Sequence, residues 1–283
     1  MSINIKSIIY KVLTNTLGSL LVFFQPKRAR KLTESGMTLS MSRNLSFTEN
    51  LMRNAILKKV EKKEDYNTLE QFHNNYWKNQ GDDFFSATDD SFEKDFLPNC
   101  AFIFDLLQEQ LTNESDTFNT LVEIGTGNGK VLNYLSSKFP SIQRFVGIDL
   151  SLVQIQLNTE NFKSNEKLEF VAIDGFDWVK EYGHGNIIFV TSRGVLEYFT
   201  EHRLTEFLNK LNGLGKTIFV AIEPNGIKHD FKTNPNSELY GYERSFSHNY
   251  AKLFKDAGFD LWHVSQKPCV PDSYNQSFIG AKN

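Results

Sequence analysis

From Thr120 onward, short continuous apolar runs alternate with segments of helical periodicity, and this alternation restricts the fold more than any other feature of the chain. Strand candidates are 121–124, 145–148, 168–172, 187–190, 217–222 and 259–264. Helices fit between them at about 129–139, 151–162, 176–182, 200–212 and 247–257. Strands apolar on both faces and separated by helices form a parallel sheet covered on both sides. A last run, 277–281, follows the sixth strand with no helix between, so it is expected to pair antiparallel to its neighbour.

Upstream, the pattern is helical. Ile5, Ile8, Ile9, Val12, Leu13, Leu17, Leu20, Leu21 and Phe24 follow the i, i+3, i+4 rule of an amphipathic helix, which Pro26 ends and Lys27, Arg28, Arg30 and Lys31 follow. Lys6, Lys11, Thr14, Asn15, Thr16 and Ser19 interrupt it, whereas a spanning helix needs ~20 mostly apolar residues. A secretory signal fits poorly: the continuous apolar stretch is only Leu20 to Phe24, and no small-x-small cleavage site follows. Residues 32–45 read as a polar linker, and further helical patterns cover about 47–60, 68–78 and 92–111. Between the last two, Gly81-Asp82-Asp83-Phe84-Phe85-Ser86 reads as a turn-rich loop holding two aromatics. The expected division is a basic arm and linker (1–45), a helical cap or lid (46–115) and an α/β body (116–283).

The net charge of −3 hides an asymmetry: residues 1–60 carry ten Lys/Arg and two acids, a net of +8, leaving −11 for 61–283. A basic arm on an acidic body is suited to an anionic partner, while the acidic body argues against a nucleic-acid-binding catalytic face. Two expectations follow for the arm: peripheral contact with a membrane surface through residues 3–31, or packing on the protein body or a second subunit. Cys100 and Cys269 are far apart and form no CxxC pattern, which argues against a zinc site and a disulfide framework and suits a reducing, cytoplasmic setting. The acids at Asp82, Asp83, Asp89 and Asp90 read as a solvated loop, and no metal is expected.

The chemistry gathers at the strand ends. The first strand runs into Glu123-Ile124-Gly125-Thr126-Gly127-Asn128-Gly129, where glycines let the backbone turn sharply and approach a ligand, and the following helix offers free N–H groups. A dinucleotide-binding GxGxxG would need glycine at 130, which is Lys. A carboxylate at Glu123 is a poor neighbour for a pyrophosphate and a better one for a sulfonium–ammonium ligand. The second strand ends at Asp149, 26 residues after Glu123, placed to accept hydrogen bonds from both ribose hydroxyls. The third ends at Asp174-Gly175-Phe176, where Asp174 can meet an exocyclic adenine amine and Phe176 or Leu150 can cover the ring. Each acid alone is as readily a helix cap; three at successive strand ends, where open α/β sheets bind ligands, are not.

Together with the turn Ser192-Arg193-Gly194-Val195-Leu196-Glu197-Tyr198 after strand four, Glu223-Pro224-Asn225-Gly226 in strand five and Ala257-Gly258-Phe259 before strand six, these motifs resemble the class I (Rossmann-like) S-adenosylmethionine (SAM)-dependent methyltransferases over about 120–281. The resemblance implies a seven-stranded, mostly parallel sheet of order 3-2-1-4-5-7-6, strand seven antiparallel, with helices on both faces and a helical extension at the N-terminus. It implies SAM as cofactor. Glu123, Gly125 and Gly127 would hold its methionine and ribose end, Asp149 the ribose and Asp174 the adenine amine. Thr126, Gly129, Leu150, Gly175, Phe176 and Ser192 would complete the contacts, and the aromatic pair Tyr76-Trp77 could close over it.

Methyl transfer is an in-line displacement in which alignment dominates, so an acid–base residue is needed only if the acceptor must lose a proton. His248, Tyr198 and Glu223 are candidates for that role. The motif used on planar amino groups is missing after strand four, and Glu197 and Glu223 are too few for a metal-dependent catechol-type site. The expected acceptor is an O or N atom of a small molecule, a sugar-like compound or a lipid, with no nucleic acid as partner. Rival readings are a nicotinamide-dependent oxidoreductase on the same scaffold and a non-catalytic scaffold.

Overall fold

The computed structural model describes residues 14–39, 45–113, 118–269 and 274–283. The chain divides into two compact units: Met1–Gln80 with Tyr242–Arg244, and Gly81–Gly241 with Ser245–Asn283.

The first unit is helical. A π-helical turn, Thr14–Gly18, leads into α1 (Ser19–Phe24), α2 (Pro26–Glu34), α3 (Phe47–Lys62) and α4 (Tyr66–Ala87). The expected arm helix falls partly on Ile5, Ile8, Ile9, Val12 and Leu13, which lie outside the described residues, as do 40–44 of the expected linker. Pro26 does not end helical structure: it occupies the first turn of α2, where its missing N–H costs nothing, so the basic cluster and Leu32 sit on a helix. The α3 start carries a reciprocal cap, with Ser46 Oγ accepting from the Glu49 N–H and the Glu49 carboxylate accepting from the Ser46 N–H. Arg53 of α3 is fully buried and donates to the carbonyls of Met37, Thr38 and Tyr242, with its guanidinium 4.0 Å from the Tyr242 ring centre.

Gly81–Ser86 is helix rather than loop, since α4 continues to Ala87. One glycine costs a helix only ~1 kcal/mol. Phe84 and Phe85 meet edge to face at 5.6 Å on that final stretch.

The second unit begins with this stretch, then a π-helical turn at Phe92–Phe96, α5 (Leu97–Cys100) and α6 (Phe102–Asn113). The expected helical run over 92–111 is present as consecutive segments of different pitch, with Pro98 in the first turn of α5. The α/β alternation then runs β1 (Thr120–Ile124), α7 (Lys130–Lys138), β2 (Arg144–Asp149), α8 (Leu152–Asn161), β3 (Leu168–Ala172), α9 (Gly175–Tyr182), β4 (Ile187–Ser192) and α10 (Glu201–Asn212). After these come β5 (Thr217–Gly226), β6 (Glu238–Tyr240), β7 (Ser245–Ser247), α11 (Tyr250–Asp256), β8 (Asp260–Cys269) and β9 (Tyr274–Lys282). The main sheet has the order β3-β2-β1-β4-β5-β9-β8, with β9 antiparallel to both neighbours. This is the order implied by the resemblance.

Alternate residues of each central strand feed opposite layers. Leu121, Ile188, Val190, Val220 and Ile222 pack with Ile103, Phe104 and Leu107 of α6 and Leu132 and Leu135 of α7. Val122, Ile124, Phe189, Phe219 and Ala221 pack with Trp178 of α9, Phe207 of α10 and Phe254 of α11. Every residue of β1 and β5 is buried, whereas the edge strands β3 and β8 are half exposed, as their polar residues require. The β6–β7 hairpin has no apolar run to announce it and was not expected. No helix among the described residues is long and apolar enough to cross a membrane.

Candidate active site

The carboxyl ends of β1, β2 and β4 converge on the glycine loop. Gly125, Gly127 and Gly129 have φ of +68°, +51° and +74°, a region that side chains with a Cβ rarely enter. The N–H groups of Gly125 and Thr126 both donate to the Ile148 carbonyl (2.8 and 2.9 Å), which clamps the loop to β2. Gly129 leads directly into α7, so the loop ends at a helix N-terminus.

Two buried carboxylates flank this loop. Glu123 accepts from the hydroxyls of Thr126 (2.8 Å) and Ser192 (2.6 Å), tying β1 to the end of β4. Burial pushes its carboxyl up to about 7, against the pull of those hydrogen bonds. Asp149 accepts from the N–H groups of Gly127 and Ser151, each at 3.0 Å. Burial raises it also. The Asn158 amide donates to the Gly127 carbonyl (2.7 Å), so α8 holds the loop from its far side. Leu150 follows half-buried.

Asp174, just past the end of β3, is already engaged on two sides. It caps α9 by accepting from the N–H groups of Phe176 (2.9 Å) and Asp177 (3.3 Å), with Gly175 as the first helical residue. Both its oxygens also lie 2.7 Å from Nη2 of Arg203, an α10 residue that no sequence pattern indicated. Phe176 contacts Phe207 at 5.8 Å, with the Lys180 ammonium 4.5 Å from its ring centre.

Tyr76 and Trp77 meet edge to face at 5.3 Å and belong to the first unit, where Tyr76 is buried. Within the second unit a different aromatic touches the loop. A Cβ built on Gly127 would come 2.6 Å from the Phe85 ring, and one on Gly125 would come 2.5 Å from the Val195 side chain. Phe85 was visible in the sequence as an aromatic, but reading its segment as a loop hid where it points. Lys130 of α7 reaches Asp89 at 3.0 Å and so ties the loop's helix to the chain that follows α4. The remaining acids of that run form no metal-ligand group: among the described residues no three His, Cys, Asp or Glu are gathered to hold a metal ion.

On the far side of β4 lie the acid–base candidates. His248 is fully buried, and both ring nitrogens are engaged, Nδ1 with Ser237 Oγ (2.6 Å) and Nε2 with the Phe199 carbonyl (3.1 Å). Burial lowers its pKa to about 4, so the ring is neutral and, as bonded, has no nitrogen left for proton transfer. Glu223 accepts from the N–H groups of Val195 (2.9 Å) and Leu196 (3.0 Å) and has the Thr191 hydroxyl beside it. It therefore holds the 3₁₀ turn Leu196–Tyr198, in which Tyr198 is nearly buried. Its own carboxyl is raised to about 7 by burial. The sequence missed the neighbouring pair, in which the Tyr240 hydroxyl from β6 donates to buried Glu197. Burial and that carboxylate raise the Tyr240 pKa, so the phenol keeps its proton.

A sheet of this order, with a positive-φ glycine loop and acids at the ends of β1 and β2, is the Rossmann-like architecture of class I methyltransferases. Residues 96–264, more than half of the chain, match the family described as "Methyltransferase domain". The chain belongs to this family, within the class I SAM-dependent methyltransferases. It is 23% identical over 185 residues to 8-hydroxyquercetin 8-O-methyltransferase from Mentha piperita, a match covering 59% of this chain and 47% of that protein. The chain thus spans about half the length of the curated relative it matches. Among solved structures, N-methyltransferase NodS from Bradyrhizobium japonicum, in complex with S-adenosyl-L-homocysteine, is 13% identical, with a TM-score of 0.44 over 62% of this chain and 82% of that one. Magnesium protoporphyrin IX methyltransferase from Synechocystis, with bound SAM, is also 13% identical, with a TM-score of 0.42 over 64% and 78%.

Proposed function

We propose that the chain moves the methyl group of SAM to an O or N atom of a small-molecule, sugar-like or lipid acceptor, with the cofactor held at the glycine loop. The observation that carries this reading is the pairing of that loop with two buried carboxylates, Glu123 and Asp149, both raised by burial. Carboxyls whose ionisation is opposed by burial gain from a cationic ligand and are destabilised further by a pyrophosphate. The positive-φ glycines let neighbouring side chains approach the loop backbone closely, Val195 at Gly125 and Phe85 at Gly127.

In this reading Asp149 accepts from the ribose hydroxyls and Glu123 faces the methionine end, with Thr126, Gly129, Leu150 and Ser192 shaping the walls. Asp174 can take the adenine amine only by sharing its oxygens with Arg203. Phe85 covers the loop and excludes water, the role the sequence suggested for Tyr76 and Trp77. Held by these residues, SAM would supply a methyl carbon activated by its sulfonium for in-line transfer. What the protein adds is alignment, which can supply ~7–11 kcal/mol. Where the acceptor must lose a proton, Glu197 is the acceptor-side base and Tyr240 positions it. Glu223, His248 and Tyr198 hold the turn that presents Glu197.

Calorimetric titration of the full chain with SAM and, separately, with NADH tests the reading. SAM binding without NADH binding is expected. Binding of NADH alone would return the site to the oxidoreductase class, and binding of neither would favour a scaffold.

A further inference from the structure

The short helix α1 uses only one of its faces. Gly18, just before it, lies so close to α3 that an added Cβ would come 2.5 Å from the Leu51 carbonyl oxygen and 3.1 Å from Ala55. Leu21 and Val22 are half-buried, and no residue of α1 is buried outright. Four large apolar side chains are left in water: Leu17 at 40% exposure, Leu20 at 51%, Phe23 at 75% and Phe24 at 73%. Scattered exposed hydrophobes need no explanation, but four within two helical turns, two of them phenylalanines in mutual ring contact at 5.1 Å, form a patch.

Charge continues where the patch ends. Lys27, Arg30 and Lys31 of α2 are exposed, and Lys27 and Lys31 have no ion-pair partner among the described residues. Arg28 is spent on Glu49 at 3.2 Å and Arg30 on Glu34 at 2.6 Å.

We infer that α1 and the start of α2 form an interfacial anchor that lays Leu17, Leu20, Phe23 and Phe24 into an anionic lipid surface while Lys27 and Lys31 meet its headgroups. An apolar helix face bordered by lysines matches the boundary between acyl chains and acidic headgroups. The charge beside the patch selects this occupant: Lys27 and Lys31, the lysines without ion-pair partners among the described residues, follow Phe23 and Phe24 and complement acidic headgroups, and a second copy of the chain is the alternative the test excludes. The inference does not rest on the methyl acceptor; it assigns a surface that the catalytic reading leaves unused.

The test is flotation of the full chain with vesicles of phosphatidylcholine alone and of phosphatidylcholine with phosphatidylserine, beside gel filtration with light scattering. The wild-type chain is expected to float with the anionic vesicles and far less with the neutral ones. F23S/F24S should weaken the partition by at least roughly tenfold. K27Q/K31Q should weaken it roughly thirty-fold on anionic vesicles only. Because all four side chains are exposed, both variants should melt with the wild type, which separates loss of anchoring from loss of fold. The inference is overturned if the wild type floats with neither vesicle or if either variant floats as well as it does. It is also overturned if the chain instead forms dimers that F23S/F24S dissolves.

Discussion

Replacing Glu123 by Gln should make the protein more stable and a worse enzyme. The carboxyl is buried and stands at about 7 in the folded protein against an ordinary 4.5. A group raised in this way binds more protons folded than unfolded between those values, so its stabilising contribution is complete below about 4.5 and lost as pH rises through about 7. The difference corresponds to about 3 kcal/mol of penalty above neutral pH. Gln keeps the shape and can still meet the Thr126 and Ser192 hydroxyls without carrying a charge. E123Q should therefore melt with the wild type at pH near 4.5 and above it at pH well over 7, by on the order of 10 °C. Glu223 is raised as well but titrates in both proteins, while Asp149, whose charge helps to raise Glu123, is relieved in the variant and adds to the gain at high pH. Affinity for SAM should fall in the same variant, measured by calorimetry above neutral pH. A melting difference that is flat with pH, or that shrinks as pH rises, would refute the buried-charge account of this site.

Gly127→Ala places a Cβ at φ +51° and 2.6 Å from the Phe85 ring. It should cost ~1–2 kcal/mol in chemical denaturation and weaken S-adenosylhomocysteine binding more than tenfold, since the Asp149 contact to the Gly127 N–H is disturbed too. Arg203→Met releases Asp174; cofactor affinity should rise severalfold, while stability falls by no more than about 1 kcal/mol, because the pair is partly exposed. Unchanged affinity would remove Asp174 from the adenine site. Tyr240→Phe deletes the donor to Glu197 and should lower kcat about tenfold to a hundredfold with the KM for SAM unchanged, provided the acceptor's proton passes to Glu197. His248→Asn loosens the Ser237 and Phe199 contacts and should shift acid unfolding, followed by circular dichroism against pH. The histidine is held neutral at a pKa of about 4, below its ordinary 6.5, so its contribution is complete above about 6.5 and lost as pH falls toward 4.

The sheet was legible because its signal is local. Val122, Ile148, Phe189 and Val220 sit in runs apolar on both faces, and a chain that alternates such runs with helices has few ways to bury them. Glu123, Asp149 and the loop glycines were legible for the same reason, each fixed by its distance from a strand end. Helix ends were less so: Pro26 looked like a terminus and Gly81 like a turn, because each weighs little against packing that a local reading does not contain.

What sequence alone determined about this protein is the order of the strands and helices of the main sheet and the placing of acids and glycines at the carboxyl ends of those strands. Those depend on spacing along one segment. Tertiary structure alone decided which partner each group meets: Arg203 on Asp174, Phe85 on Gly127, Tyr240 on Glu197, and both nitrogens of His248 taken by Ser237 and Phe199. These pairs are separated by 29, 42, 43, 11 and 49 residues. No periodicity connects them, and only the closing of the sheet brings them within reach. Likewise, periodicity marked the apolar face of the arm helix, but only the packing of Gly18 on α3 determined that Phe23 and Phe24 would be left facing water.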